Sequence, residues 1–218
     1  MNNKFPFDRD AGPIVAFFAV VSILLGHVSV NLGWCGFIFT LFCLMFFRDP
    51  ERVHSSKEDI IISPADGTVL KVSEESAPVE LELEGNWKKI SIFMSVFDVH
   101  INRMPISGIV EKILYIPGKF FNASLDKASE YNERQATYVK TADGISVVFV
   151  QIAGLIARRI RCDITEGQNL KIGDRVGIIR FGSRVDVYFP QDAEVIVEEG
   201  QVMVAGETIL AHLKSKKK

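Results

Sequence analysis

A chain of 218 residues carrying 25 basic and 27 acidic side chains, formal charge -2, has room for one domain of ordinary size plus an appendage, and it has no global basic field to draw it to nucleic acid. Its three cysteines, Cys35, Cys43 and Cys162, are odd in number and show no C-x-x-C spacing. That argues against a disulfide framework and against a metal site of the zinc type, and it fits a reducing compartment.

Residues 11–47 contain no charged side chain. The run breaks at Asn31-Leu32-Gly33 into 14–30 and 34–47, each shorter than the roughly 20 residues a helix needs to cross a bilayer core. The expected element is a hydrophobic helical hairpin, dipping into one leaflet or crossing as two short tilted spans, and it forms a first unit over 1–47. Lys4 and Arg9 precede the hairpin and Arg48 and Arg52 follow it, which places both ends in the cytoplasm and the protein on the cytoplasmic face of the cell membrane. A signal peptide is disfavoured by the length of the run and by the lack of a small-x-small cleavage site before Arg48. A hairpin buried in a soluble core is the rival reading, but the rest of the chain has enough apolar residues for its own core.

After "FFRDPER" (46–52) the pattern changes to short Val- and Ile-rich runs punctuated by Gly, Pro and Asp, so 48–218 is expected to be a mainly β domain. Strands are predicted at 67–72, 89–97, 108–115, 137–141, 145–152, 175–181, 185–189, 193–197 and 208–213, with a helix around 123–134. "EGQNLKIGD" (166–174) is echoed by "EGQVMVAGE" (199–207), each with E-G-Q, four residues, then Gly and an acid. Such glycines usually serve turns with positive φ, and the repeat suggests a lipoyl-like barrel-sandwich. The tail Lys214-Ser215-Lys216-Lys217-Lys218 reads either as a solvated end or as a basic cluster attracted to anionic lipid.

Three features carry chemistry. "PADG" (64–67) places Asp66 at a tight turn, where ordinary turn chemistry is the simpler reading. In "SVFDVHINRMP" (95–105) strand alternation puts Asp98, His100 and Asn102 on one face and Phe97, Val99 and Ile101 on the other. In "IRFGSRVDVYFP" (179–190) a Gly-Ser pair interrupts an apolar strand. There the Ser183 hydroxyl can reach the Gly182 carbonyl carbon, turn the peptide bond into an ester and, after elimination and hydrolysis, leave a pyruvoyl group. A Gly-Ser pair alone does not license that chemistry, because the dipeptide is common.

The ordered motifs "FFRDPER", "SPADGTV", "FMSVFDVHINRMPISGIV", "PGKFFNASLDKASEYNER", "QIAGLIARRI" and "GIIRFGSRVDVYFP" closely resemble the short bacterial phosphatidylserine decarboxylases from Arg48 to Pro190. The resemblance implies decarboxylation of phosphatidylserine to phosphatidylethanolamine and CO2 by a membrane-bound enzyme. Its cofactor would be a pyruvoyl group derived from Ser183 by self-cleavage between Gly182 and Ser183, and the substrate would bind it as a Schiff base. The products would be a large chain (1–182) paired with a small one (183–218). His100 would be the proton donor and Asp66 an acid acting mainly in maturation. Longer members carry a second histidine three positions after the first, where this chain has Arg103, a poor base. That leaves His100, or Asp66 directly or through water, as the base for cleavage. Arg184 is either an anion contact or a surface charge. Arg103, Lys119, Arg158, Arg159 and Arg180 are candidates for the lipid phosphate, and Phe120 and Phe121 either touch lipid or pack in the core.

Two other functions use the same sequence. Ser183, His100 and Asp66 would make a hydrolase triad on an intact chain, though no G-x-S-x-G surrounds Ser183. A membrane-anchored lipoyl-like binding module would leave "FDVHINRMP" and "FGSRVD" without a role.

Overall fold

The computed structural model describes residues 6–55, 57, 59–125, 128–155, 159–180 and 182–214. The chain divides into two compact units, the first ending at Glu51 and the second beginning at Arg52.

The first unit is a pair of helices, α1 (Ala11–Val28) and α2 (Val30–Phe46). The break falls at Ser29, which is extended, and not at Asn31-Leu32-Gly33, which lies inside α2. Gly33 instead serves packing. A Cβ there would sit 2.8 Å from the Gly26 Cα, so the missing side chain lets the two helices touch. Ser22 and Thr40 meet across the same seam at 3.1 Å, and each also donates to a carbonyl one turn back, Phe18 and Gly36, so neither hydroxyl faces outward unpaired. The outer surface carries exposed Phe17, Ile23, Leu24, Trp34 and Ile38. By length and composition α1 can cross a membrane: its 18 residues rise about 27 Å at 1.5 Å each, close to a hydrocarbon core of about 30 Å.

The second unit is mainly β. Its strands are β1 (Ile60–Ile62), β2 (Gly67–Glu75), β3 (Trp87–Met94), β4 (Ile101–Arg103), β5 (Gly108–Ile116), β6 (Arg134–Lys140), β7 (Ser146–Ala153), β8 (Ile160–Cys162), β9 (Asn169–Leu170), β10 (Arg175–Ile179), β11 (Ser183–Pro190), β12 (Glu194–Val195), β13 (Val202–Met203) and β14 (Ile209–His212). Eight of them form one curled sheet in the order β13-β2-β3-β11-β7-β6-β5-β9, and two three-stranded sheets, β1-β14-β12 and β4-β10-β8, complete the sandwich. Val185, Val187 and Phe189 of β11 and Val147, Phe149 and Ala153 of β7 share one buried cluster with Ile61, Leu210, Val176 and Ile179 of the small sheets. The alternate residues Val148, Val150, Ile152 and Tyr188 fill a second cluster on the opposite face, with Trp87 and Leu81. A sheet covered on both sides explains why β7 reads as an almost continuous apolar run and why Arg184 and Asp186, on the second face of β11, are buried as a pair.

The internal echo is structural. β9 and β13 come from its two copies and pair with β5 and β2, at opposite ends of the large sheet. In each copy the glycine amide donates to a strand carbonyl, Gly167 to Val110 and Gly200 to Val69. In each, the preceding glutamate accepts from the same strand just past a bulge, Glu166 from Ile113 and Glu199 from Val72. The helix expected over 123–134 shrinks to α3 (Ala128–Tyr131), because Asn132 leaves the helical path to bond other segments and β6 starts at Arg134.

Candidate active site

β11 begins at Ser183, which pairs with Met94 of β3 on one side and Ala153 of β7 on the other. Gly182 enters this strand with φ +65, a left-handed conformation open to glycine and costly for other residues. Its amide donates to His100 Nε2 at 3.3 Å. Its carbonyl faces Gly154, where a Cβ would lie 2.0 Å from the Gly182 oxygen. Gly182, which carries the carbonyl of the Gly182-Ser183 peptide, is therefore bounded on both sides. Ser183 is fully buried, and its hydroxyl donates to the Met94 sulfur at 3.3 Å, a weak acceptor that holds it only lightly.

His100, also fully buried, has Nδ1 3.0 Å from the Asp98 carbonyl oxygen. A carbonyl only accepts, so Nδ1 carries the proton, and Nε2 is left with the lone pair that receives the Gly182 amide. The imidazole is thus neutral, with its basic nitrogen at the Gly-Ser junction. The alternation expected across Asp98, His100 and Asn102 starts later than the sequence suggests. Residues 95–98 form a turn in which the Asp98 carboxylate accepts from the Ser95 amide at 2.7 Å, leaving Phe97 exposed. Only His100 and Asn102 go inward, and both are fully buried.

Asp66 lies elsewhere. Its carboxylate accepts from Arg52 at 2.8 Å and from the Ala205 amide at 2.7 Å. The echo supplies a reason for the second bond. Ser107, in the matching "MPISG", accepts from the Ile172 amide at 2.9 Å, and Ile172 occupies the place in the first copy that Ala205 has in the second. Half of what Asp66 does is therefore turn chemistry. The turn it closes is tied to β4, since the Arg103 amide donates to the Pro64 carbonyl.

The cationic candidates separate by burial. Arg103 is buried, with Nη1 donating to the Gly173 carbonyl at 3.1 Å. Arg184 is 1% exposed and points to the face of the sheet opposite Ser183, where Asp186 takes its Nε at 2.6 Å and Ser91 its Nη2 at 2.8 Å. It is neither a surface charge nor aimed at the Gly-Ser bond. Lys119 and Arg159 are exposed and Arg180 is half-buried, while Arg158 lies outside the described residues. Phe120 packs against the main core, and Phe121 is exposed beneath the Lys119 ammonium.

A sequence profile described as phosphatidylserine decarboxylase matches residues 39–211. The chain is 50% identical to a phosphatidylserine decarboxylase proenzyme of Paramagnetospirillum magneticum over 97% of this chain and 88% of that one. It is 51% identical to the proenzyme of that name from Cereibacter sphaeroides, over 96% of this chain and 91% of the other, and 50% identical to that of Rickettsia typhi over the same shares. The chain belongs to the phosphatidylserine decarboxylase family. It is accordingly an enzyme of a carboxy-lyase family, whose relatives are named as proenzymes.

For a decarboxylase of this family, several residues around the junction carry no signal in the sequence. Gly154 sits in the quoted "QIAGLIARRI", but nothing local says that it faces Gly182. Asn132 is fully buried and bonds Phe121 twice, through its Oδ1 and its Nδ2, and also donates to the Ala153 carbonyl at 2.7 Å; this fixes the strand end just before Gly154. Met94, Gln135 and Gln151 read as ordinary strand residues and turn out to line the interior beside Ser183. The hydrolase triad loses its third member, because His100 Nδ1 is engaged by a backbone carbonyl and the Asp66 carboxylate by Arg52 and Ala205.

Proposed function

We propose that this chain decarboxylates phosphatidylserine to phosphatidylethanolamine and CO2, using a pyruvoyl group that it makes by cutting itself between Gly182 and Ser183. The observation that carries the proposal is the Gly182-Ser183 peptide. It is bent into a left-handed glycine conformation between the lone pair of His100 and the bare Cα of Gly154, with the Ser183 hydroxyl buried next to it.

Maturation follows from that geometry. Ser183 Oγ attacks the Gly182 carbonyl carbon, and His100 Nε2 takes the hydroxyl proton and passes it to the departing Ser183 nitrogen, leaving an ester. Loss of the Ser183 α-proton then breaks the Cβ–Oγ bond, and Gly182 departs as a carboxylate that keeps the serine oxygen. Water replaces the nitrogen as ammonia, and a ketone is left on the new chain start. With Arg103 buried against a backbone carbonyl, His100 is the base for cleavage, and Asp66 is a positioning residue that secures the turn on which β4 rests.

The position suits a small ketone. Ser183 is enclosed by the Met94 thioether and the apolar face of the sheet, and its strand pairing on both sides outlasts the cut. A pyruvoyl group there supplies a carbonyl that binds the substrate amine and accepts the electron pair left by the carboxylate. His100, already at the junction, takes up a proton from water on Nε2 and delivers it to the substrate's former α-carbon. The apolar hairpin holds the enzyme at the cytoplasmic face of the cell membrane, where its lipid substrate lies.

Denaturing gels and intact-mass analysis test the reading. The expected result is a chain of residues 1–182 and a chain of 183–218 whose first residue has the mass of a pyruvoyl group, with Ser183→Ala uncut and inactive on phosphatidylserine vesicles. An active enzyme that is a single intact chain with an ordinary serine at 183 refutes it.

A further inference from the structure

Beside Ser183 runs a buried chain of side-chain amides that the scheme above does not use. Gln135 Nε2 donates to Gln151 Oε1 at 3.2 Å, Gln151 Nε2 donates to Asn102 Oδ1 at 2.8 Å, and Asn102 Nδ2 donates to the Met94 sulfur at 3.6 Å. All three amides are at most 5% exposed. Three neutral amides buried in a core are costly unless their bonds have a purpose, and here every donor points the same way. The carbonyl of Asn102 is taken by Gln151, which turns its amino group toward the sulfur that also receives the Ser183 hydroxyl. Two donors thus share one thioether, a weak acceptor on a flexible side chain that can yield. While Ser183 Oγ carries its proton, both groups donate to the sulfur. Once Oγ has lost that proton, it becomes an acceptor across the same sulfur from an amide donor that, among the described residues, bonds only that sulfur.

We infer that Asn102 is the donor that stabilises the Ser183 oxygen as it leaves with Gly182, and that Gln151 and Gln135 are positioning residues that keep its amino group facing that oxygen. In this step the Ser183 Cα–H proton goes to the base and its electrons form the Cα=Cβ bond. The Cβ–Oγ bond breaks, and its electron pair stays on Oγ as the Gly182 carboxylate. Negative charge grows on the oxygen that shares the Met94 sulfur with Asn102, whereas in ester formation charge moves off that oxygen onto the Gly182 carbonyl, so the amide chain acts on elimination and not on the preceding ester formation. The inference rests on the proposed cleavage of Gly182-Ser183.

Asn102→Leu and Asn102→Asp test it in the full-length protein. The leucine variant removes the donor. The aspartate variant keeps an acceptor for Gln151, and with it the fold, but offers no amino group. Both are expected to stall as an ester, eliminating on the order of 100-fold more slowly than wild type. Hydroxylamine added under denaturing conditions then splits the stalled precursor at 182–183 and releases a small chain that begins with an ordinary serine open to Edman degradation. Gln151→Met is expected to stall partially, and Gln151→Glu, which loses the donor to Asn102 Oδ1, to do the same. If the Asn102 variants mature at the wild-type rate, or stall as precursors resistant to hydroxylamine, the inference is overturned. If wild-type protein itself is never cut at this bond, the function proposed above fails first, and the two failures are told apart by that control.

Discussion

Gly154→Ala is the sharpest perturbation of the site, since it adds one methyl group and no charge. The new Cβ would lie 2.0 Å from the Gly182 carbonyl oxygen, the atom that would become the oxyanion in the proposed attack by Ser183. Ordinary contact needs well over 3 Å, so the two backbones must separate by about 1 Å. Gly182 is tethered by its amide to His100 and by the start of β11, so the displacement falls largely on the scissile carbonyl. A misplacement of about 1 Å costs about 100-fold in a reaction that depends on alignment, or roughly 2.7 kcal/mol in barrier. Pulsed expression followed on denaturing gels gives the half-time of cleavage directly. Melting curves of Gly154→Ala and wild type, each made in the uncut Ser183→Ala background, separate misalignment from unfolding. Gly12→Ala is the control, because a Cβ there meets nothing within 4 Å and its backbone is helical. A Gly154→Ala protein that folds and cuts as fast as wild type would refute the claim that this close approach aims the carbonyl.

Asp186→Asn strands a buried guanidinium, since Asp186 and Arg184 are both fully buried and directly paired. The expected loss is about 3–5 kcal/mol, a fall in Tm on the order of 10 °C in a melt, with much of it recovered in an Arg184→Met, Asp186→Leu double variant. Tyr188, on the same face, has its phenol pushed up by burial and then by the nearby carboxylates of Asp186 and Glu75. Below about pH 10 the phenol is protonated in both folded and unfolded chains; above it the unfolded chain ionises first, so stability falls as pH rises. Urea midpoints of Tyr188→Phe should therefore decline less steeply than those of wild type above about pH 10.

What could be read from the sequence was whatever repeats or alternates. The E-G-Q echo foretold matching edge pairs because a turn glycine and an acid at fixed spacing have local geometric causes. β2, β3, β5, β7 and β11 were legible from their Val and Ile runs, whereas β8, β9 and β13, at two or three residues, are too short to show a period. Gly33 was misread as a break because close helix packing and chain reversal favour the same residue. Asp98 was misplaced because its carboxylate turns back to its own loop. In the site, His100 and Ser183 could be named from their chemistry, but the amides of the chain that ends at Met94 come from β4, β6 and β7, and only folding brings them together. The orientation of Arg184 follows from β11 parity once Ser183 is known to face inward, a fact the sequence does not contain.

The location of the proposed cut within the sheet has a further consequence. β11 is an interior strand, with eight residues in register against β3 and six against β7. Severing the chain just before it, as proposed, would free no edge, so the short product would stay clamped and the two pieces would share one hydrophobic interior. Denaturation is another matter, because the released peptide must then find its slot from solution, a bimolecular search that the uncut precursor never faces. On the proposed cleavage, the precursor should refold after dilution from urea while the processed enzyme should not, which would make maturation a one-way commitment of the fold as well as of the chemistry.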